Sequence, residues 1–188
     1  MFEASPPPSS SDELPVPVRN AAPADALAIS ELYGWHVREG RASFELTPPT
    51  ETEMALRIEA IQSAGLPYLI AQQEGQFLGF AYASPYRPRP AYRFAVEDSV
   101  YVAADAQGKG VGRALLQAVI EQATLAGRRQ MIAVIGDSAN AASIQLHRSL
   151  GFEQAGHLRS VGWKHDVWLD TLFMQRALGA GNRSAPTD

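Results

Sequence analysis

The chain has 188 residues, 46% of them hydrophobic and 19% charged, and a net charge of −4; this size and balance fit one globular domain that buries its own core. The acidic balance and the lack of a long basic run argue against nucleic acid as the main partner. There is no cysteine, which excludes disulfides, a thiolate metal site and an acyl-cysteine intermediate.

Residues 1–15 contain Pro6-Pro7-Pro8-Ser9-Ser10-Ser11 and are expected to form a disordered tail. No basic start precedes an apolar core, and no apolar run reaches membrane-spanning length, so a cytoplasmic protein without a membrane partner is expected. Val16 to Arg19 reads as a short strand. Pro23 opens a helix whose apolar set is Ala26, Leu27, Ile29, Leu32 and Tyr33. Residues 40–50 lack periodicity and read as a loop, followed by a helix from about Glu51 to Ser63 that Gly65 and Pro67 end. Tyr68–Ala71 and Phe77–Ala83 read as strands joined at Glu74-Gly75. Three prolines stiffen the loop at 85–90. Phe94 to Ala103 is a strand, 110–126 a helix closed by Gly127, Met131–Ile135 a buried strand and Asn140–Leu150 a helix. Strands at about 153–160 and 167–176 close a domain spanning 16–178, and 179–188 reads as a flexible tail. The order β-α-α-β-β-β-α-β-α-β-β predicts a mixed α/β sheet with helices on both faces.

Within this order, Gln107-Gly108-Lys109-Gly110-Val111-Gly112 stands between the strand Ser99–Val102 and a helix. In that helix Val111, Leu115, Leu116, Val119, Ile120 and Ala123 share one face. A glycine-rich loop opening a helix lets backbone N–H groups approach a ligand, and the helix dipole favours a phosphate or pyrophosphate there. A structural loop without a ligand has the same spacing. No Gly-Lys-Ser/Thr is present to make a P-loop. A dinucleotide fingerprint would need a third glycine where Arg113 stands, although Asp137 imitates its ribose-binding acid. Gly136-Asp137-Ser138-Ala139-Asn140 imitates a serine-hydrolase nucleophile elbow but lacks the closing glycine.

The spelling Gln-x-x-Gly-x-Gly resembles the acetyl-CoA pyrophosphate loop of the GNAT superfamily of N-acetyltransferases. Asn140-x-x-Ser143-x-x-Leu146-His147, followed by Leu150-Gly151-Phe152, resembles the superfamily's second signature. Glu97-x-Ser99-Val100-Tyr101-Val102, Arg87-x-Arg89-x-x-Tyr92 and Trp163-Lys164-His165-x-x-Trp168-x-Asp170 resemble the phosphinothricin and methionine sulfone/sulfoximine acetyltransferases. The resemblance covers roughly residues 16–178 and implies a largely antiparallel sheet of six to seven strands.

The resemblance also implies acetyl-CoA as cosubstrate, no metal, a small amine acceptor and a homodimer. Direct acetyl transfer to an α-amine needs a base for the ammonium and a proton for the departing thiolate. By resemblance Glu97 is the base; strand alternation puts it on one face with Ser99 and Tyr101, and Asp98 on the other. His147 stands where much of the superfamily has Tyr, and imidazole titrates near neutrality. The resemblance gives the pantetheine arm to the backbone of Val100, Tyr101 and Val102. It gives the pyrophosphate to Gln107, Gly108, Lys109, Gly110, Val111 and Gly112, with Arg113 adding charge, and sets Asn140 against CoA near the pantetheine. Phe44, Arg87, Arg89 and Tyr92, with Glu97, form the acceptor pocket by the same resemblance; guanidinium forks suit an acidic group there. Each of these side chains also has a plainer structural role open to it, as a core aromatic, a solvated charge or, for Asn140, a helix N-cap. A non-catalytic acyl-CoA sensor and an acetyltransferase for another amine are the alternative functions.

Overall fold

The structure is a computed structural model that describes residues 16–186; the N-terminal tail expectation lies outside them. Seven strands form one sheet: β1 (Val18–Asn20), β2 (Tyr68–Gln73), β3 (Gln76–Pro85), β4 (Ala95–Val102), β5 (Gln130–Gly136), β6 (Glu153–Lys164) and β7 (Val167–Ala177). Their spatial order is β1-β2-β3-β4-β5-β7-β6, and every neighbouring pair is antiparallel except β4 and β5.

Among the described residues, four α-helices divide between the two faces. On one, α1 (Ala26–Glu39) and α2 (Glu51–Ser63) bury Ile29, Tyr33, Val37, Met54 and Ile58 against Tyr68, Ile70 and Phe80. On the other, α3 (Val111–Leu125) and α4 (Ala141–Ser149) cover Leu69, Ala71, Ala81, Met131 and Ala133. Adjacent residues such as Leu69 and Ile70 reach opposite cores because strand side chains alternate. All six stripe residues of α3 are buried, as a 3.6-residue period requires of a helix laid on a sheet. Leu27 departs from its expected place: it is 51% exposed, while Ile29 and Tyr33 carry that helix's packing.

The predicted element order stands, and the ends shift by a few residues. Thr50 caps α2 reciprocally with Glu53, each side chain taking a backbone N–H of the other. Gly79 is required where β3 crosses the sheet, since a Cβ there would lie 2.5 Å from the Tyr101 carbonyl. Residues 179–184, read from sequence as part of a loose tail, run in turns after buried Leu178, and Arg129 hydrogen-bonds Ser184 and Ala185.

Candidate active site

The one parallel pair creates the site. β4 and β5 match over four residues, Ala95–Asp98 against Gln130–Ala133. Beyond them both strands continue, to Val102 and Gly136, with no pairing to each other. The sheet therefore forks and leaves backbone polar groups open along the gap. A cavity of about 790 Å³ fills the fork, walled by Asp98–Val102, Val134–Gly136, the glycine loop and the start of α4.

The loop is built for close approach. Gly108 and Gly110 have φ of +74° and +80°, and nothing lies within 4 Å of a Cβ at either position. Both glycines supply left-handed backbone at the cavity edge. Gly110 caps α3, so the first N–H groups of that helix point into the cavity without intrahelical partners. Gly112 serves packing instead: a Cβ there would meet Leu146 at 3.3 Å and Val102 at 3.5 Å. Among the sequence-selected residues, Val100, Tyr101, Val102, Gln107, Gly108, Gly110, Val111, Gly112, Arg113 and Asn140 all line this cavity. Lys109 is exposed and does not. Arg113 donates to Ser149 Oγ at 3.0 Å. Asn140 caps α4, accepting from the Ser143 N–H at 3.2 Å, so its capping and cavity positions coexist.

Residues 97 and 98 face opposite ways at the root of the fork. Glu97 shares a face with its register partner Ser84, as Ser99 does with Tyr82 and Tyr101 with Phe80. Burial raises the Glu97 carboxyl above its ordinary value and neighbouring Asp98 adds to this, while Arg87 opposes both. Asp98 faces α4 and meets His147, Oδ2 to Nε2 at 2.9 Å, with side chains only 2% and 5% exposed. His147 Nδ1 lies 2.7 Å from the Ser143 carbonyl. A carbonyl only accepts, so Nδ1 carries hydrogen; Nε2 faces a carboxylate, so the pair holds one further proton between them. Burial pulls the imidazole down, but the Asp98 hydrogen bond and charge, with the Ser143 carbonyl, raise it overall. Asp98 Oδ1 has no partner and is shut off from solvent. The sequence placed Asp98 opposite Glu97 and gave no sign of its pairing with a helix 49 residues away.

The acceptor candidates do not converge on the large cavity. Arg87 lies over the Tyr86 ring at 5.1 Å, and Tyr86 meets Tyr92 edge-on at 5.8 Å. Arg89 and Tyr92 are exposed. On Glu97's face, a smaller cavity of about 210 Å³ is lined by Tyr33, Arg57, Tyr82 and Ser84 among others. Arg57 is bound there by Glu45 at 2.8 Å, and Tyr33 Oη donates to the same carboxylate at 2.9 Å.

Phe44, 38% exposed, lies in a slot made by missing side chains. A Cβ on Gly136 would come within 2.9 Å of its ring, and one on Gly162 would overlap it. Beside it, buried Lys164 donates from Nζ to the Ser43 carbonyl at 2.6 Å; burial holds that ammonium below the usual lysine range, against the pull of Glu45. These contacts pin the 40–46 loop, whose Gly40, Arg41 and Ala42 wall the large cavity, onto the β6–β7 hairpin. Gly162→Ala is therefore expected to displace Phe44 and raise the acceptor KM about tenfold with kcat little changed, the scale set by a misplaced positioning group; steady-state kinetics in each substrate checks this.

Comparison with known proteins gives one consistent picture. The model of the acetyltransferase (GNAT) family matches residues 29–152. The chain is 53% identical over 169 residues to a phosphinothricin N-acetyltransferase of Alcaligenes faecalis, covering 90% of this chain and 86% of that one. It is 42% identical over 170 residues to an L-methionine sulfoximine/L-methionine sulfone acetyltransferase of Pseudomonas paraeruginosa, covering 90% and 98%. A crystal structure of a phosphinothricin acetyltransferase from Sinorhizobium meliloti in complex with AcCoA superposes with a TM-score of 0.90 at 49% identity, over 93% of this chain and 95% of that one.

Proposed function

The chain belongs to the acetyltransferase (GNAT) family and is an N-acetyltransferase; we propose that it moves acetyl from acetyl-CoA directly to the α-amine of a small acceptor of the phosphinothricin, methionine sulfoximine or methionine sulfone type. The observation that carries the mechanism is the placement of Glu97 and Asp98 on opposite faces of β4, where its pairing with β5 stops.

The residues present fit the cosubstrate. Open N–H groups of Gly108–Gly112 suit a pyrophosphate, and the unpaired edge of Val100–Val102 suits a peptide-like arm. Acetyl-CoA supplies the acetyl group as a thioester. Glu97, its proton affinity raised by burial, takes the proton that makes the ammonium a nucleophile. A free N–H on the β4 edge donates to the carbonyl oxygen as negative charge grows there. The proton held between Asp98 and His147 lies on the other face of β4 and serves the departing sulfur. Arg87, Arg89, Tyr92 and Phe44 meet the acceptor, and the small cavity on Glu97's face holds part of it.

Three further readings accompany this one. The domain runs over residues 16–178. β6 is an edge strand, and the exposed Leu158, Val161, Trp163 and Trp168 on the β6–β7 hairpin suit a homodimer contact. The enzyme works in the cytoplasm; among the described residues no helix is long and apolar enough to cross a membrane.

The test is acetyl-CoA-dependent thiol release with phosphinothricin, methionine sulfoximine, methionine sulfone and simple amines, run alongside light scattering. Turnover of the three amino-acid analogues well above that of simple amines, from a dimer, is expected. CoA binding without turnover of any amine would favour a sensor, and turnover of simple amines alone would move the acceptor class.

A further inference from the structure

One charge stands on a stripe that otherwise packs. In α2, Met54 and Ile58 are buried against the sheet and Ile61 packs beside them. Arg57 comes three residues after Met54 and four before Ile61, so it shares their side of the helix. Its side chain is 43% exposed, and it lines the smaller cavity with Met54, Tyr68, Phe80, Tyr82 and Ser84 among others. Met54, Tyr68 and Phe80 are buried and make an apolar floor; Arg57 brings positive charge to the open side. Glu45 takes one N–H from each terminal nitrogen of the guanidinium, at 2.8 and 3.3 Å, and the Tyr33 ring centre lies 5.9 Å from its carbon. Glu45 does not line the cavity. It therefore fixes the guanidinium from outside and leaves the N–H groups it does not take to an occupant.

The strand wall of this cavity leads to the base. Ser84 is the register partner of Glu97, and Tyr82 feels the charges of both Glu97 and Arg57. Arg87 also acts on the Glu97 carboxyl, so a cation is already at hand for a carboxylate one carbon from the amine. Arg57, on the helical wall, faces what lies further along the acceptor. At about 210 Å³ the cavity is smaller than whole-ligand pockets, which begin at about 300 Å³, so it takes one end of a molecule. A guanidinium above an apolar floor suits an end that bears oxygens and a small apolar cap. Resting on the acceptor class proposed above, we propose that Arg57 is a specificity-determining residue: it binds the phosphinate or sulfone oxygens at the side-chain end of the acceptor, whose methyl cap fills the floor of the small cavity.

Three compounds on one skeleton test this. Phosphinothricin, methionine sulfone and methionine each carry a methyl-capped phosphorus or sulfur two methylenes from the α-carbon, bearing charged oxygens, neutral oxygens and none. The KM of each is measured, or its Ki as a competitor where turnover is slow. Arg57→Met keeps the stem and removes the donors; it is expected to raise the constant for phosphinothricin about 10- to 100-fold, that for the sulfone less and that for methionine least. Glu45→Gln keeps an acceptor for Arg57 and Tyr33 but removes the opposing charge; it is expected to lower the constant for phosphinothricin relative to methionine, about two- to fivefold. The assignment is overturned if R57M raises all three equally or leaves phosphinothricin unchanged, or if E45Q moves all three equally or weakens phosphinothricin most. If R57M does not fold, E45Q decides alone by the same criterion. Wild-type protein that acetylates neither analogue overturns the acceptor reading, and this assignment with it; wild-type turnover of the analogues without a selective loss in R57M overturns this assignment only.

Discussion

Glu97→Gln is expected to lower kcat by about 10²- to 10⁴-fold, the usual worth of a general base, while CoA binding stays at the wild-type value. Glutamine keeps the size and polarity of the side chain, so the loss reads out the proton acceptor alone. The pH profile gives the second arm. Glu97 must be ionised to take a proton, and burial with the nearby Asp98 charge raises its pKa above the ordinary 4.5. Wild-type activity should therefore rise with pH through a midpoint above that of a free carboxylate. In the glutamine variant this acidic limb should vanish from the residual rate. Unchanged turnover, or a limb that survives the substitution, would take the role of base away from Glu97.

The largest expected effect on stability is that of Asp98→Asn. The Asp98–His147 pair is buried on both sides, and removing one partner of such a pair strands the other charge, at about 3–5 kcal/mol. For a domain of this size that is a fall in Tm of about 6–20 °C. The pH dependence carries a definite sign. His147 is raised in the folded protein above its ordinary 6.5. Its stabilisation is therefore complete below the unfolded-state value and fades as pH rises through the higher folded-state value. Melting at pH 6 and pH 8 should show the wider gap between wild type and variant at the lower pH. An equal gap at both would mean that the pair does not hold the extra proton.

What the sequence made legible is what local period and capping encode. The six-residue stripe of α3, the shared face of Glu97, Ser99 and Tyr101, and the Asn140 cap each follow from spacing within one element, and the chain folds each as expected. The glycine loop was legible because strand, loop and helix follow one another directly. What stayed hidden involves distant partners. His147 is 49 residues from Asp98, and Lys164 is 121 from Ser43; no period links such positions. Leu27 satisfied the helical spacing and still faces water, since spacing names a stripe but not its edges. The fold was thus readable almost throughout, and the site only where it sits on a single stretch of chain.

The fork has a mechanical consequence. Four residue pairs join β1–β4 to β5–β7 across the middle of the sheet, and the Phe44 slot with Lys164 fastens the loop after α1 to the second of these half-sheets. The core under α3 spans both halves, and whatever occupies the gap becomes mortar between them on its open side. CoA at a hundred times its Kd would add about 2.7 kcal/mol to folding by mass action alone, delivered at the seam where β4 and β5 part after four residue pairs.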